Sequence, residues 1–345
     1  MVAQDHPFAG EFDLLNPNTR RVLEFVLDNL VWFMLLAVLA IFSATVPHYF
    51  QINILANIVE QSSVLGVMSI GLALVIIAGQ MDLSVESVAA LSAMATGILF
   101  CSAGVGLGIT LTPQWLAVPA SLAVTLAVGG LIGAMNGFLI VKVRLNAFIV
   151  TLAAFIWVRG LVVAVSGGRS AQDLAPSIRV LGIQRFAGVP LTAIIAILCF
   201  VFFSLVMAKT RFGRHLLIIG GNEAAAFRAG IKVNRILIVA FILAGAIAAL
   251  AGWLLVIRTS GATPNLGTGM LFNAFAAVVI GGVSLKGGVG TLPGVYAGVL
   301  LLSSINTAIN LLGLPPHFTQ VIHGFLVLVA VMLDTFKHSL RQKLA

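Results

Sequence analysis

The sequence is poor in charge. Only 9% of its 345 residues are Asp, Glu, Lys or Arg, whereas soluble domains carry about 25%. So few charged groups cannot cover the surface of a water-soluble globule. Hydrophobic residues make up 60% of the chain, and the mean hydropathy is +1.12. Apolar runs recur from position 29 to position 334, many near the roughly 20 residues that a membrane-spanning helix needs. The sequence therefore predicts an all-α, polytopic integral membrane protein.

Cysteine is scarce, and so are the patterns of metal-binding and catalytic sites. Cys101 and Cys199 stand in apolar surroundings, which is typical of buried thiols and not of a disulfide framework. The sequence contains no His-x-x-x-His pair, no cysteine cluster and no Gly-x-Ser-x-Gly motif, which are common marks of metal and nucleophile sites. We therefore expect no metal site, no catalytic residue and no enzymatic activity.

A nucleotide-binding loop is also missing. The segment IGGVSLKGGVGTLPG is rich in glycine, but Lys286 lies between Leu285 and Gly287, whereas a phosphate loop needs Gly-Lys-Ser/Thr. We expect a tight reversal between two spans there, and no cofactor in this chain. The net charge of +8 does not predict nucleic acid binding, because the cations lie in short hinges between apolar runs. That placement is typical of a protein in contact with membrane lipid.

The apolar segments predict about ten transmembrane helices. They are Leu30–Val46, Ile54–Ala78, Val85–Cys101, Leu116–Val141, Phe148–Ser166, Leu191–Ala208, Ile236–Ile257, Phe272–Ser284, Pro293–Leu312 and Val321–Asp334. The transmembrane domain is thus expected over residues 29–336, between a cytoplasmic N-terminal segment, 1–28, and a cytoplasmic tail, 337–345. The N-terminal segment lacks the features of a cleaved signal.

The cations predict the orientation. With the N-terminus in the cytoplasm, 14 of the 19 Lys and Arg residues fall on cytoplasmic segments, four fall outside, and Arg159 lies within a span. An excess of Lys and Arg is typical of cytoplasmic loops, and an even number of spans places both termini in the cytoplasm. Two hydrophilic connections stand out, residues 167–189 outside and residues 209–235 inside.

The inner connection contains a short predicted helix, Glu223 to Arg228. Asn222 is placed to cap its N-terminus, and Gly230 is placed to end it. A helix at this face lies on the membrane or docks on a partner, unless the connection is an ordinary interfacial loop.

A weak self-similarity relates two segments. VIIAGQMDLSV, ending at Val85, resembles VVIGGVSLKGG, ending at Gly288. Transporters often carry repeats with helix breaks near the binding site, although glycine-rich apolar sequence also produces such matches by chance.

The acidic stretch Gly79 to Glu86 is a candidate part of a transport pathway. Asp82 and Glu86 are four residues apart, so on one helix they would share a face and repel each other. We expect Asp82 to cap the N-terminus of the third span. Together with Ser84 it belongs either to a short turn or to a helix break that lines a pathway.

The remaining polar residues within the spans are further pathway candidates. Arg159 lies late in the fifth span, where it either extends to the outer interface or pairs with an acid such as Asp82 or Glu60. Single asparagines in apolar helices either hydrogen-bond between helices or contact a substrate. These asparagines are Asn136, Asn273 and Asn306.

Four segments together resemble the ribose/xylose/arabinose-type permeases of bacterial ATP-binding cassette (ABC) sugar importers. In chain order they are GQMDLSVESVAALSA, NGFLIVKVRLNAFIVTLAAFIWVRG, GRHLLIIGGNEAAAFRAGIKVNR and AFAAVVIGGVSLKGGVGTLPGVYAGVLL. The resemblance implies that the inner helix is the coupling segment that docks on the ATPase, through Asn222, Glu223, Ala224, Ala225 and Gly230.

The chain departs from this family at several positions. It has Gln80 and Met81 where the family usually has Gly and Ile, Glu86 where the family usually has glycine, and Ala147 where proline is frequent. These changes bear on the polarity of the pathway and not on the coupling segment.

The resemblance implies a permease subunit in the bacterial inner membrane. It would translocate a monosaccharide, a ribose-like pentose or a related sugar, that a periplasmic sugar-binding protein delivers. Its partners would be cytoplasmic ABC ATPase subunits, which bind the ATP, and a second permease subunit, identical or different. Two alternatives stay open: an ABC permease for branched-chain amino acids, and an ion-coupled secondary transporter in which Asp82 and Glu86 are the clear candidates for an ion site.

Overall fold

The computed structural model describes residues 29–315 without a break, and a few isolated positions on either side. Within this part the helices are α1 (Leu30–Thr45), α2 (Ile52–Ile77), α3 (Val85–Phe100), α4 (Ala117–Val141), α5 (Ala147–Ser166), α6 (Pro176–Ile183), α7 (Leu191–Lys209), α8 (Arg211–Gly221), α9 (Glu223–Arg228), α10 (Val233–Thr259), α11 (Met270–Ile280) and α12 (Leu292–Leu311). A 3-10 turn, Gln114–Leu116, precedes α4.

Nine of these helices coincide with predicted spans. Six are long and apolar enough to cross a membrane, namely α2, α4 with its preceding turn, α5, α7, α10 and α12, whereas α1, α3 and α11 are shorter apolar helices. The all-α, polytopic prediction is confirmed. The predicted span Val321–Asp334 and the segments 1–28 and 337–345 lie almost entirely outside the described residues.

Helix α10 lies at the centre of the bundle, packed against α2, α3 and α4. Its contact with α4 is unusually close because α4 carries glycine at every fourth position, Gly129, Gly133 and Gly137. A Cβ atom on Gly129 would collide with the carbonyl of Gly245, and one on Gly133 with the carbonyl of Phe241. Small residues allow transmembrane helices to approach in this way, so the two backbones are in direct contact.

The helix at the predicted span Phe272–Ser284 is too short to cross a membrane by itself. Helix α11 has 11 residues, which extend only about 16 Å. It begins after Gly269, whose φ is +84°, and ends before Gly282, whose φ is +88°. Both values lie in the left-handed region, where a helix cannot continue. The chain between α10 and α11 therefore includes non-helical turns, residues 263–269, and α11 is only a half-helix.

Helices α2 and α11 end in the same hydrogen-bonded motif. In each, the left-handed glycine bonds to the carbonyl three residues back, and the next amide bonds to the carbonyl five residues back, which is a Schellman ending. The bonds run from Gly79 and Gln80 to Ile76 and Val75, and from Gly282 and Val283 to Val279 and Val278, at 2.9–3.2 Å. The weak sequence repeat therefore encodes a repeated helix end.

One end of the bundle carries short strands, and we call it the sheet end. Strands β1 (Cys101–Gly104), β2 (Ala171–Leu174) and β5 (Gly261–Ala262) form an antiparallel sheet in the order β1-β2-β5. Strands β3 (Arg185–Phe186) and β4 (Val189–Pro190) form a separate pair. The sheet joins the chain after α3, after α5 and after α10, and four arginines lie in this region: Arg169, Arg179, Arg185 and Arg258.

We call the opposite end the basic end. The turn between α4 and α5, helices α8 and α9, the start of α10 and the turn after α11 lie there. This end carries Lys142, Arg144, Lys209, Arg211, Arg214, Arg228, Lys232, Arg235 and Lys286. The glycine-rich segment that was expected to reverse the chain does so here, between α11 and α12.

Candidate functional site

Helix α9 projects from the basic end as a short, exposed element. The Asn222 side chain caps it by accepting a hydrogen bond from the amide of Ala225 at 2.9 Å. Gly230, with φ +80°, ends it, and the amides of Gly230 and Ile231 bond back to the carbonyls of Phe227 and Ala226. The predicted cap and stop are both confirmed.

The surface of α9 is suited to contact with another protein. Glu223, Ala224 and Ala225 are exposed, whereas Ala226 is buried. Phe227 leaves 73% of its surface exposed, although it is a large apolar side chain. A cavity of about 690 Å³ lies on one side, lined in part by Arg144, Asn146, Glu223, Phe227 and Asn234. A second, of about 520 Å³, is lined in part by Lys142, Phe227, Lys232 and Arg235. Phe227 therefore borders two cavities, of which the second is basic.

Helix α8, which precedes α9, was not predicted. It buries Gly213, Leu216 and Ile219 on one face and packs against α2, α7 and α10. These positions are three residues apart, as on one side of an amphipathic helix. Helix α9 is thus attached through α8 to the transmembrane bundle.

Three glycine-containing segments meet where α8 ends. They contribute Gly79, Gly220, and the pair Gly287 and Gly288, and we call their contact the glycine junction. The amide of Gly288 donates to the carbonyl of Ile77 at 2.9 Å. A Cβ on Gly287 would lie 2.7 Å from Cα of Gly79 and 2.8 Å from the carbonyl oxygen of Gly220. The end of α2 and the turn that follows α11 therefore touch the element that leads into α9.

Asp82 lies in a buried polar cluster just before α3. Its Oδ1 accepts from the amide of Ser84 at 2.9 Å and from the Ser84 hydroxyl at 2.6 Å. Asn136 of α4 donates to the same hydroxyl at 3.0 Å, and the Thr151 hydroxyl contacts the carbonyl of Met81 at 3.3 Å. The cluster joins the segment before α3 to α4 and α5.

The expected capping role of Asp82 is wrong in detail. Helix α3 begins at Val85 after Ser84, and Ser84 makes no side-chain cap bond. The Asp82 carboxylate instead fixes the turn just before the helix, by accepting both hydrogen bonds from Ser84. Because Asp82 is outside the helix, it does not share a helical face with Glu86, and the expected repulsion does not arise. The amide oxygen of Asn136 is buried and has no hydrogen-bond partner among the described atoms.

Arg159 is paired with an acid, as one of the two expectations had it, but the acid is Glu86. Arg159 Nη2 lies 2.8 Å from Glu86 Oε1, and the Glu86 side chain is only 3% exposed. Arg159 is 20% exposed, so it does not extend to the outer interface. Glu60 instead pairs with Arg185 at 3.0 Å near the sheet end. The packing of α3 against α5 selects Glu86 as the partner.

Glu86 also caps the half-helix α11. Its second oxygen, Oε2, accepts from the amide of Leu271 at 3.0 Å. Gly269, the residue before α11, has no side chain that could do so. An anion at a helix N-terminus is favourable. The Arg159 guanidinium also donates to the carbonyls of Pro264 and Leu266, at 3.0 and 3.3 Å.

We call Glu86, Arg159 and these backbone partners the clamp. The clamp was not predicted from the sequence, because Glu86 was considered only in relation to Asp82. The signal that could have found it is the presence of one arginine and one unassigned acid inside apolar spans, since such charges need partners.

The two remaining asparagines stand apart from these clusters. Asn273 is half-buried on α11, one turn from its N-terminus. Asn306 is half-buried on α12, a helix that packs mainly against α1, α2, α7 and α11. Of the six predicted pathway residues, the structure therefore brings Asp82, Ser84 and Asn136 together and places Arg159 in the clamp.

A family model described as the permease component of branched-chain amino acid transport systems matches residues 54–331. The chain belongs to this permease family. The match runs from α2 through the glycine junction, the clamp and α9, and so includes the sites described above. No solved structure matches the chain.

Individual relatives are similar to the permease over most of its length. The ribose import permease protein of Escherichia coli (strain K12) is 38% identical over 307 residues, which cover 88% of this chain and 92% of that protein. The L-arabinose transport system permease protein of the same strain is 35% identical and covers 81% of this chain and 82% of its own. The ribose import permease protein of Bacillus subtilis (strain 168) is 36% identical, with 84% and 87% covered.

Proposed function

We propose that the chain is the permease subunit of a bacterial ABC importer and translocates a monosaccharide, a ribose-like pentose or a related sugar. The observation that carries this proposal is the identity of 35–38% to ribose and arabinose permeases over more than four fifths of the chain. A periplasmic sugar-binding protein delivers the cargo, and cytoplasmic ATPase subunits bind the ATP. A second permease subunit, identical or different, completes the pathway.

The two alternative functions have less support. The family description names branched-chain amino acid transport, but the relatives that align over nearly the whole chain are named for sugars. An ion-coupled transporter would need an acid free to bind the ion. Glu86 is already bound to Arg159 and to a backbone amide, and Asp82 is bound to Ser84.

The basic end faces the cytoplasm in this proposal, because Lys and Arg accumulate on cytoplasmic segments. Both termini then lie in the cytoplasm of the inner membrane. Helix α9 docks on the ATPase through Asn222, Glu223, Ala224, Ala225 and Gly230. The exposed Phe227 ring adds an apolar anchor beside these residues, and aromatic side chains are frequent hot spots in protein interfaces.

The glycine junction provides a route from the ATPase to the pathway. Closure of the ATPase subunits around ATP would push on α9. Helix α8, which leads into α9, would receive this force, because it is packed both on α9 and on the transmembrane bundle. Because α8 ends against the end of α2 and against the turn that follows α11, its displacement would reach the polar cluster before α3 and, through that turn, the half-helix. We infer that this movement switches the pathway between outward and inward access.

The transport function is tested by reconstitution. The permease, its ATPase and its binding protein are assembled in proteoliposomes, and uptake of labelled ribose is measured with ATP, without ATP, and with a proton or sodium gradient alone. We expect uptake only with ATP and the binding protein. Competition by unlabelled arabinose or leucine distinguishes sugar from amino acid cargo, and accumulation driven by a gradient alone would contradict the importer class.

The docking function of α9 is tested with two matched aromatic variants. Phe227→Ala removes the exposed ring at the basic end, and Phe186→Ala removes a ring that is 51% exposed at the sheet end. Truncation of an interface hot spot costs about 2 kcal/mol or more, so we expect co-purification of the ATPase to weaken at least about tenfold for Phe227→Ala and to stay unchanged for Phe186→Ala. Equal effects of the two variants would contradict the assigned surface.

A further inference from the structure

The turns at residues 263–269 lie alongside the spanning helix α5 and not beyond its end. They are bound to Arg159, the thirteenth of the 20 residues of α5, which spans about 30 Å. Seven residues of α5 separate Arg159 from its sheet end, or about 10 Å along the helix. The carbonyls of Pro264 and Leu266 lie within 3.3 Å of its guanidinium. Irregular backbone occurs at this depth only where it is buried in protein or lines a water-filled cavity.

The side chains of this segment are polar and face outward from the single chain. Thr263, Asn265 and Thr268 are all exposed, and Asn273 of α11 is half-buried nearby in sequence. The Thr268 hydroxyl donates to the carbonyl of Asn265 at 2.8 Å, but contact of the Thr263 hydroxyl and the Asn265 amide with lipid would leave these groups without hydrogen-bond partners, at a cost of roughly 1–3 kcal/mol each. Lipid-facing positions elsewhere in the bundle are apolar instead, such as Leu198 and Phe202 of α7, which are 62% and 60% exposed.

The backbone of the segment is held in place, so its side chains have defined positions. The clamp binds two of its carbonyls and the first turn of α11. Within the segment, the amide of Thr268 bonds to the carbonyl of Asn265 at 3.2 Å, and the amide of Met270 bonds to that of Gly267 at 3.1 Å. A fixed polar surface at membrane depth is what a transport pathway for a polyhydroxylated cargo requires.

We infer that residues 263–269 form a wall of the translocation pathway, where Asn265 and Thr268 hydrogen-bond to the hydroxyl groups of the passing sugar. The clamp residues Glu86 and Arg159 position this wall. The assignment of the sugar as the contacted species rests on the proposed function, whereas the assignment of the surface to a water-filled pathway does not.

The inference is tested first by cysteine accessibility in the permease–ATPase complex in proteoliposomes. Cys101 and Cys199 are replaced by alanine, and single cysteines are introduced at Asn265 and Thr268. Modification by a charged methanethiosulfonate is measured, with Val180→Cys at the sheet end, which is 46% exposed, as the water-exposed control and Leu198→Cys as the lipid-facing control. We expect Asn265→Cys and Thr268→Cys to react like Val180→Cys, and Leu198→Cys to remain unmodified.

The second measurement addresses contact with the sugar. Asn265→Leu and Thr268→Val should lower ATP-dependent uptake at least fivefold with unchanged permease level and ATPase association, and Asn265→Gln should restore most of it. Failure of both cysteines to react would overturn the pathway wall, whatever the cargo. Reactive cysteines with uptake unaffected by the apolar variants would overturn the sugar contact, and the absence of sugar uptake by the parent complex would overturn the proposed cargo alone.

Discussion

Removal of the clamp should destabilise the permease in a pattern that distinguishes charge from hydrogen bonding. Glu86→Ala leaves the Arg159 guanidinium without an anion and the amide of Leu271 without an acceptor. Breaking a buried ion pair costs about 3–5 kcal/mol, and an unsatisfied amide costs about 1–3 kcal/mol. Because Arg159 keeps two carbonyl acceptors and is 20% exposed, we expect the lower end of the combined range, about 4 kcal/mol in total.

The matched variant Glu86→Gln keeps an oxygen for the amide of Leu271, but its NH2 group faces the Arg159 guanidinium, which is also a donor, so the ion pair and its hydrogen bond are lost. Because the hydrogen bond to the amide is retained, which contributes about 1 kcal/mol between neutral groups, we expect a loss of about 3 kcal/mol. Arg159→Met should cost at least about 3 kcal/mol, because it leaves the Glu86 carboxylate, 3% exposed, without its cation.

The double variant Glu86→Gln/Arg159→Met decides between the two effects. It contains no unpaired charge and keeps the cap, so we expect it to be about 2 kcal/mol more stable than Arg159→Met alone. Stability is measured as the thermal unfolding midpoint of the purified permease in lipid nanodiscs, and all four variants are compared with the parent. If the double variant is no more stable than Arg159→Met, the reasoning from a buried, coupled pair is refuted.

Three further predictions concern orientation, coupling and the polar cluster. An impermeant thiol reagent applied to intact cells should modify Val180→Cys at the sheet end and leave Asn234→Cys unmodified; the reverse pattern would contradict the proposed orientation. Gly230→Val places a β-branched residue at φ +80°, so it and Glu223→Arg should insert normally but lose ATPase co-purification and uptake, and full uptake by both would contradict the coupling role. Asp82→Asn keeps an acceptor for Ser84 and should retain most uptake, whereas Asp82→Ala should lower the amount of folded permease; uptake abolished by Asn at a normal permease level would show that the charge itself is needed.

The apolar spans could be predicted because hydropathy alone determines them. Nine predicted spans coincide with helices in the described part of the chain, and local capping signals located α9 through Asn222 and Gly230. Helix α8 was missed although Leu216 and Ile219 lie three residues apart, because the segment was read as a loop from its charges. The sequence of α11 is apolar nearly throughout, so hydropathy does not indicate where this helix begins and ends. Its length is limited by the left-handed glycines at its two ends, Gly269 and Gly282.

The features that depend on contacts between distant segments could not be predicted. The strands of the sheet end have two to four residues, too few to give a periodic pattern, and those of the three-stranded sheet pair with residues 67 or more positions away. The pairing of Arg159 with Glu86 depends on how α3 and α5 are rotated against each other. The family resemblance predicted a coupling segment at α9, but it gave no indication of the clamp, since Glu86 stands where glycine was expected.

The glycine junction has a mechanical consequence. Side chains at an ordinary contact can change rotamer and absorb a small displacement of one element before its neighbour moves. At Gly79, Gly220 and Gly287 the contact is between backbones, and no rotamer is available to take up the motion. A small shift of α8 is therefore passed directly to the end of α2 and to the turn that follows α11. If α9 docks on an ATPase, as we propose, a single methyl group added at one of these glycines would disturb the response of the permease to the ATPase without changing any side chain of the pathway.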